Sequence, residues 1–508
     1  VENFLIVSEN NPLFGIVYFF LVYLLLSCSN GSSSGGSGDT GDGSALPAFK
    51  DVINEVGIGE IGFLGQTAVW GDFNNDGCLD LFVANTDFDP PNVFLFRNNC
   101  DGTFHNVTAG SGIRETPLRS ASLADFDNDG LLDLIVGTIM VSAPPILYKN
   151  LDGNTFLDVS EEAGIAKEGS TINHVVWADY DQDGFVDFFE AGEGVSFLYH
   201  NERNGTFSEV TEKSGIDPLL SANSAVWFDS NNDGFQDLFV AKDGLNKFYI
   251  NNKDGSFTDM TDSAGVGGEL TWRSVAACKG DFNRDGLFDL YVGNIGSSRN
   301  ALYRNDGDGK FTDVTFESGT DIAGDARTCN WVDFDGDKWV DLFVTNHSTP
   351  SRLFKNMGNG EFIDVATQVG LDLPIDVFGS SWGDFNNDGF IDVFLNGHIG
   401  MALMKNSGTD SNFLILRLIG DGVFTNTSAI GTRVEIDTSS GIQIREVSGG
   451  EGCCSQDMLP VHFGLGNDKK VDIIVKWTSG EDCVFEGISV TGGQLFSVLE
   501  NGCELIQN

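Results

Sequence analysis

Positive charge is scarce in this chain. Lys and Arg number 28 against 75 Asp and Glu, a formal net charge of −47 over 508 residues. That imbalance argues against nucleic acid or an anionic membrane surface as a partner. Sustained 3.6-residue apolar periodicity is also missing, so long amphipathic helices do not build the fold. No H-E-x-x-H or P-loop occurs, which removes two common catalytic and nucleotide-binding signatures. None of the nine cysteines has a Cys/His zinc spacing. What the chain does have is apolar content for a large core (41% hydrophobic, with 41 Phe) and repetition. Its length exceeds a typical single domain, although a propeller can absorb about 350–400 residues in one unit.

A nine-residue stretch is written seven times: DFNNDGCLD (72–80), DFDNDGLLD (125–133), DYDQDGFVD (179–187), DSNNDGFQD (229–237), DFNRDGLFD (281–289), DFDGDKWVD (333–341) and DFNNDGFID (384–392). Start-to-start spacings run 53, 54, 50, 52, 52 and 51 residues, the mark of a repeat architecture. Oxygen-bearing side chains stand at positions 1, 3, 5 and 9, and Gly fills position 6 in six copies. Calcium takes six to eight oxygen ligands at about 2.3–2.6 Å, and a sharp turn at Gly lets positions 1, 3 and 5 converge on one. The expected ligands are Asp72, Asn74, Asp76 and Asp80; Asp125, Asp127, Asp129 and Asp133; Asp179, Asp181, Asp183 and Asp187; Asp229, Asn231, Asp233 and Asp237; Asp281, Asn283, Asp285 and Asp289; Asp333, Asp335, Asp337 and Asp341; and Asp384, Asn386, Asp388 and Asp392. An EF-hand is excluded. Position 12 holds Val83, Val136, Val240, Val292 and Val344 in five copies, and strands rather than helices follow the loops. Asn, Asp and Gly also make ordinary turns, but four such side chains at one register in seven copies exceed what turns require. Up to seven calcium ions are expected. The sixth site is the weakest, because Lys338 replaces Gly there.

Each period reads as four short strands separated by Gly/Asn/Asp turns, the make-up of a propeller blade. The fourth-strand signal F-x-(D/N/E)-(V/M) occurs at Phe49, Phe104, Phe156, Phe207, Phe257, Phe311 and Phe362, the first of them ahead of the first loop. Blade 7 therefore lacks an outer strand of its own, and Phe49–Val52 is expected to complete it, leaving no open edge. The acidic loops fall at one end of every blade. The variable loops and blade-to-blade crossovers fall at the other, where specificity usually resides.

Residues 11–27 are an uninterrupted apolar run ending in Leu25-Leu26-Ser27-Cys28, which resembles the lipobox of bacterial lipoproteins. Cys28 is then the expected acylation site, with a plain signal peptide or single membrane anchor as the alternative for residues 1–28. A Gly/Ser-rich tether follows over 29–45. The chain is expected to be exported, as an outer-membrane or cell-surface lipoprotein or else secreted. The other eight cysteines permit four disulfides, with Cys483 and Cys503 the best single pair.

The repeat resembles the FG-GAP/VCBS blade also found in integrin α-subunit heads; Phe378-Gly379 ahead of Trp382-Gly383-Asp384 carries its motif. The resemblance covers 46–408 and implies an all-β fold, a seven-bladed β-propeller. Ala429–Val434, Gln443–Val447, Ser455-Gln456, Val461–Gly466 and Val475–Gly480 are similar to the ASPIC/UnbV domain, placing a small β-rich domain at 409–508. The two together are similar to the cartilage acidic protein family and its bacterial relatives, which implies calcium binding and supplies no catalytic residues.

Arg119, His174, Trp272, Arg273 and Arg327 are expected just before the first strands of their blades, near the axis on the crossover face, away from the metal loops. They could hold an anionic ligand such as an acidic sugar, or form local ion pairs. Arg445, Glu446 and Gln456 could form a site or a structural network, and Cys453-Cys454 a redox pair or a structural one. The reading overall is a surface-displayed, calcium-binding module for adhesion to a glycan or protein, not an enzyme. The alternative is an extracellular lyase or hydrolase on an acidic polysaccharide. A lyase needs a base beside a cation, and no convincing base is present.

Overall fold

The computed structural model describes residues 46–59, 65–86, 93–140, 143–165, 171–296, 298–322, 325–347, 349–373, 376–397 and 400–508. The expected leader, tether and Cys28 lie outside them. Seven four-stranded antiparallel sheets make up the first part. Their inner strands are Gly65–Gly71, Leu118–Ala124, Ile172–Ala178, Ser224–Phe228, Ser274–Gly280, Ala326–Val332 and Val377–Gly383. The strands that follow the loops are near-continuous apolar runs buried on both faces, because each blade is packed between two others; the inner strands mix small polar with apolar residues and are buried over most of their length. Each inner strand neighbours the next, and that of blade 7 lies beside that of blade 1. An apolar cluster fills each of the seven interfaces: Trp70 lies between blades 7 and 1, Trp227 between 3 and 4, and Trp331 between 5 and 6. The ring is closed by packing.

It is also closed by the chain. Six sheets are built from consecutive strands, whereas the seventh takes Phe49–Asp51 as its outer strand. Phe49 pairs with Asn406, Lys50 with Lys405 and Asp51 with Met404, the clasp read from the displaced Phe49 signal.

After the ring come two further four-stranded sheets. One has the order Val461–Gly466, Asn412–Ile419, Gln494–Leu499, Glu504–Gln507; the other Gly441–Glu446, Arg433–Thr438, Lys470–Lys476, Asp482–Ser489. They share a core that includes Leu416, Ile436, Phe463, Ile473 and Val498. Cys483 and Cys503 are bonded, as are Cys78 with Cys100, Cys278 with Cys329, and Cys453 with Cys454. Among the described residues no helix is long and apolar enough to cross a membrane.

Candidate metal centres

All seven acidic loops fold alike. Position 1 accepts two backbone N–H groups, from positions 5 and 6: Asp125 Oδ1 lies 3.0 Å from the Asp129 nitrogen and its Oδ2 2.7 Å from that of Gly130. Position 5 accepts the N–H of position 7, as Asp129 does from Leu131 at 3.0 Å. The position 9 carboxylate bridges two strands. Asp133 Oδ2 takes the Phe126 N–H at 3.1 Å, and Oδ1 takes the Asn150 N–H at 2.7 Å. In three loops the carboxylates at positions 1, 3 and 9 bring oxygens within 4.8 Å of one another: Asp125, Asp127 and Asp133; Asp179, Asp181 and Asp187; Asp333, Asp335 and Asp341.

Burial drives these acids away from ionisation. Desolvation is the largest cause and raises Asp80, Asp187, Asp237 and Asp384 to about 7, and Asp125, Asp229 and Asp281 to about 6. Neighbouring loop carboxylates add to the rise at most of these sites. Meanwhile Asp127 Oδ1, Asp181 Oδ1 and Asp335 Oδ1 are buried with no hydrogen-bond partner. Buried, unpartnered carboxylate oxygens in an all-oxygen cluster fit a hard divalent cation. These clusters could hold a metal ion, and calcium is the ion their donor set suits.

The sixth loop corrects one expectation. Lys338 takes the left-handed conformation usually given to Gly, with φ 83°, and its backbone N–H still reaches Asp333 Oδ2 at 2.9 Å. Its ammonium turns away to Asp468, 2.8 Å distant. The cation that touches the loop is Lys355, bound to Asp335 and Asp337. Lys355 occupies the position just before the third strand's closing Asn. Lys149 holds the same place in blade 2 and pairs with Asp127 and Asp129, and His200 in blade 3 lies 3.1 Å from Asp187.

That closing Asn is a functional residue the sequence reading passed over. Asn98, Asn150, Asn201, Asn251, Asn305, Asn356 and Asn406 each donate two side-chain bonds. One goes to the position 8 carbonyl of their own loop, the other to the position 2 carbonyl of the preceding blade. Asn251 is typical, at 3.1 Å from Gln236 O and 2.7 Å from Tyr180 O. Position 4 adds a second link between loops. The amide of Asn75 reaches Gly130 O at 2.6 Å, that of Asn128 reaches Gly184 O at 2.8 Å, and that of Asn232 reaches Gly286 O at 3.0 Å. The signal was an Asn ending every third strand, 14 to 18 residues after the closing Asp of each loop.

The C-terminal domain sits on this loop face. Arg417 pairs with Asp72 at 2.8 Å, Thr427 donates to Asp125, and Arg433 donates to Asn232 and to Gly286 O. His462 Nε2 lies 3.0 Å from Gly389 O, and a Cβ on Gly389 would fall 1.7 Å from the Phe413 ring. Between strand Asn412–Ile419 and loops 1, 2 and 7 remains a cavity of about 650 Å³ that reaches Asp72, Asp125, Asp384 and Arg417.

From this domain residues 447–458 run into the central channel and touch all seven inner strands. Gly449 O accepts the Trp177 N–H at 3.0 Å, and Gly452 exchanges two backbone bonds with Ala277. Gln456 Oε1 accepts the Leu123 N–H at 2.6 Å, and its backbone N–H donates to Ala68 O at 3.3 Å. Ser224 Oγ donates to Gly452 O at 2.5 Å, Cys453 N–H to Thr328 Oγ1 at 3.2 Å, and the Trp382 N–H to Asp457 Oδ1 at 2.7 Å. At its root Glu446 accepts from Lys279 Nζ at 2.6 Å and Gln236 Nε2 at 2.8 Å, all three buried. Arg445 lies over the Phe463 ring at 5.0 Å. Arg445, Glu446 and Gln456 are thus part of a structural network.

The crossover-face residues separate into two groups. His174 is fully buried, 3.2 Å from Ser224 Oγ, and burial lowers its pKa to about 3, so it is neutral and cannot present charge to a ligand. Trp272 is buried too, beneath the Arg299 guanidinium at 5.4 Å. Both must be withdrawn as surface contacts. Arg119, Arg273 and Arg327 do gather at one end of the channel, near enough that the charges of Arg119 and Arg273 help to lower the Arg327 pKa, after desolvation.

The profile of the FG-GAP-like repeat matches residues 72–136, 179–240, 229–292, 281–344 and 333–395, together more than half of the chain. The chain belongs to the FG-GAP-like repeat family. The ASPIC and UnbV profile matches 422–501, inside the domain that covers the FG-GAP loops. Cartilage acidic protein 1 of Mus musculus and of Homo sapiens is 25% identical over 474 residues, covering 86% of this FG-GAP chain. The chain spans 64% and 62% of the length of those two relatives. Solved structures include an Agrocybe aegerita lectin described as recognising non-reducing terminal N-acetylglucosamine, at 20% identity and TM-score 0.40, covering 58% of this chain and 78% of that one. A Bacillus licheniformis rhamnogalacturonan lyase aligns at 14% identity and TM-score 0.41, covering 70% and 75%.

Proposed function

We propose that this chain is an exported, calcium-fastened binding module that offers its crossover face to a glycan or protein outside the cytoplasm, with Cys28 as its point of attachment to a membrane. One observation carries the reading: among the described residues the C-terminal domain occupies the loop face and fills the channel, which leaves the crossover end as the face it does not cover. Export is supported by four cysteine pairs at bonding distance, since disulfides persist in oxidising compartments. Calcium is supported by the buried, unpartnered carboxylate oxygens of the loops. The metal would supply charge neutralisation and cross-linking of each loop. Asp at positions 1, 5 and 9, with Asp or Asn at position 3, would hold it. Binding without catalysis fits a crossover face whose one histidine among the candidates is buried and neutral.

The test is metal content by mass spectrometry together with thermal melting in calcium and in chelator. Up to seven equivalents of calcium are expected. Ligand that binds only the folded state adds about 2.7 kcal/mol per site at a hundredfold excess over Kd, so chelation should lower Tm by on the order of 10 °C or more. Equal melting curves with and without chelator would overturn the calcium reading.

A further inference from the structure

Six of the seven inner strands carry a β-bulge at the same place, their second residue. The register slips between Gly65 and Thr67, Leu118 and Ser120, Ile172 and His174, Ser274 and Ala276, Ala326 and Cys329, and Val377 and Gly379. A bulge re-aims a side chain and recurs beside binding sites. Here it places Gln66, Arg119, Asn173, Val275, Arg327 and Phe378 at the channel end. Five of these six are part-exposed in strands otherwise buried along their whole length.

The channel is blind at this end. The tip of the segment that fills it is the bonded pair Cys453–Cys454, which abuts the same residues: Cys454 Sγ is 3.6 Å from Asn173 O, Cys454 O accepts the Ala121 N–H at 3.4 Å, and Ser455 Oγ is 3.5 Å from Gln66 O. Above this floor Arg327 lies over the Phe378 ring at 4.8 Å. Its buried Nε has no hydrogen-bond partner, nor has that of Arg119. Arg119 touches Asn173 through a terminal nitrogen and stands 3.6 Å from Glu193, while Arg273 is drawn to Asp243 at 3.5 Å. In a chain with 75 acidic and 28 basic residues, most guanidinia could find a carboxylate. Arg327 feels Asp325 and Asp376, yet its guanidinium lies against an aromatic ring, with Arg273 and Arg119 near enough to oppose its charge.

Resting on the crossover-face reading above, we infer that this blind mouth binds the terminal residue of an acidic saccharide, its carboxylate taken by Arg327 and Arg119. Guanidinium donors match a planar carboxylate in bidentate fashion. The Gln66 amide, part-exposed at the same end, suits a ring hydroxyl.

The test is calorimetric titration of the calcium-loaded full chain with tetrasaccharides ending in galacturonate, glucuronate or mannuronate. A neutral tetrasaccharide and tetra-aspartate serve as comparison probes. At least one uronate should bind, more weakly as salt rises. Arg327→Ala should cut its affinity roughly tenfold or more, Arg327→Lys less, because charge without the fork recovers only part of the contact. Arg304→Ala, an exposed arginine paired with Asp306, should change nothing. Unchanged melting temperatures would show that the variants are folded. Absence of uronate binding by wild type, equal affinity of Arg327→Ala, or tighter binding of the neutral sugar or the peptide would each overturn the inference. A ligand that binds independently of Arg327 but is lost on other crossover-face substitutions leaves the broader reading standing. A ligand lost only on changes to the C-terminal domain removes both.

Discussion

The two ends of each blade come from the same seven repeats, yet they have opposite characters. At the loop end every repeat makes the same bonds: position 1 to positions 5 and 6, position 9 to the closing Asn, and that Asn to the blade before. At the crossover end the repeats diverge; the bulged residue is Gln66, Arg119, Asn173, Val275, Arg327 or Phe378 in turn, with only Arg used twice. Uniform contacts build a ring and are then covered by the C-terminal domain, while unlike side chains are left for recognition. The difference teaches that stability and specificity are drawn here from opposite ends of one sheet.

That contrast can be broken in several places. After chelation itself, the largest effect should come where the covering domain enters the ring. Lys279→Met leaves Glu446 buried without its cation, and losing one member of such a pair costs about 3–5 kcal/mol. Urea unfolding measures it, and a loss under about 1 kcal/mol would mean the network is not an anchor. Next is the closing Asn. Asn251→Ala removes donors from two carbonyls and should cost about 2–4 kcal/mol. Asn223→Ala, at the crossover end and half-buried, removes a donor from one carbonyl of the next blade and should cost less, about 1 kcal/mol. Equal losses would erase the distinction between the ends.

A subtler effect lies in the pH dependence. The loop carboxylates raised to about 6–7 bind more protons folded than unfolded. Their favourable contribution to folding is full below the unfolded carboxylate pKa and is lost as pH rises through about 6–7. In chelator, Tm should therefore rise as pH falls from about 8 to about 5. In calcium the slope should reverse, because protons compete with the metal for the same oxygens. Parallel slopes in the two conditions would show that these carboxylates do not hold the ion.

Much of the ring was legible because it is periodic. The loop recurs every fifty-odd residues, four strands fit between copies, and the one displaced signal at Phe49 foretold the clasp. The Cys483–Cys503 pair followed from both residues lying in a small domain. What stayed hidden has no period or depends on where side chains turn. The closing Asn was in plain view but looked like ordinary turn chemistry, and only the structure shows that it spans two blades. Lys338 and Lys355 are equally charged, and nothing local says which one faces the loop. Residues 447–458 have neither alternation nor helical spacing, since their partners are backbone groups of seven separate strands. His174 sits at the same end of its strand as Arg119, but its imidazole packs inside.

The axial segment also sets a number. Proteins built from repeats can gain or lose a unit by unequal recombination, and a simple ring could close again with six or eight. Here a single non-repeating stretch meets Ala68, Leu123, Trp177, Ser224, Ala277, Thr328 and Trp382, one inner strand after another. A ring with one blade more or fewer would meet it out of register. The segment reads the size of the ring, and so ties the evolutionary fate of the repeats to a domain that is not one of them.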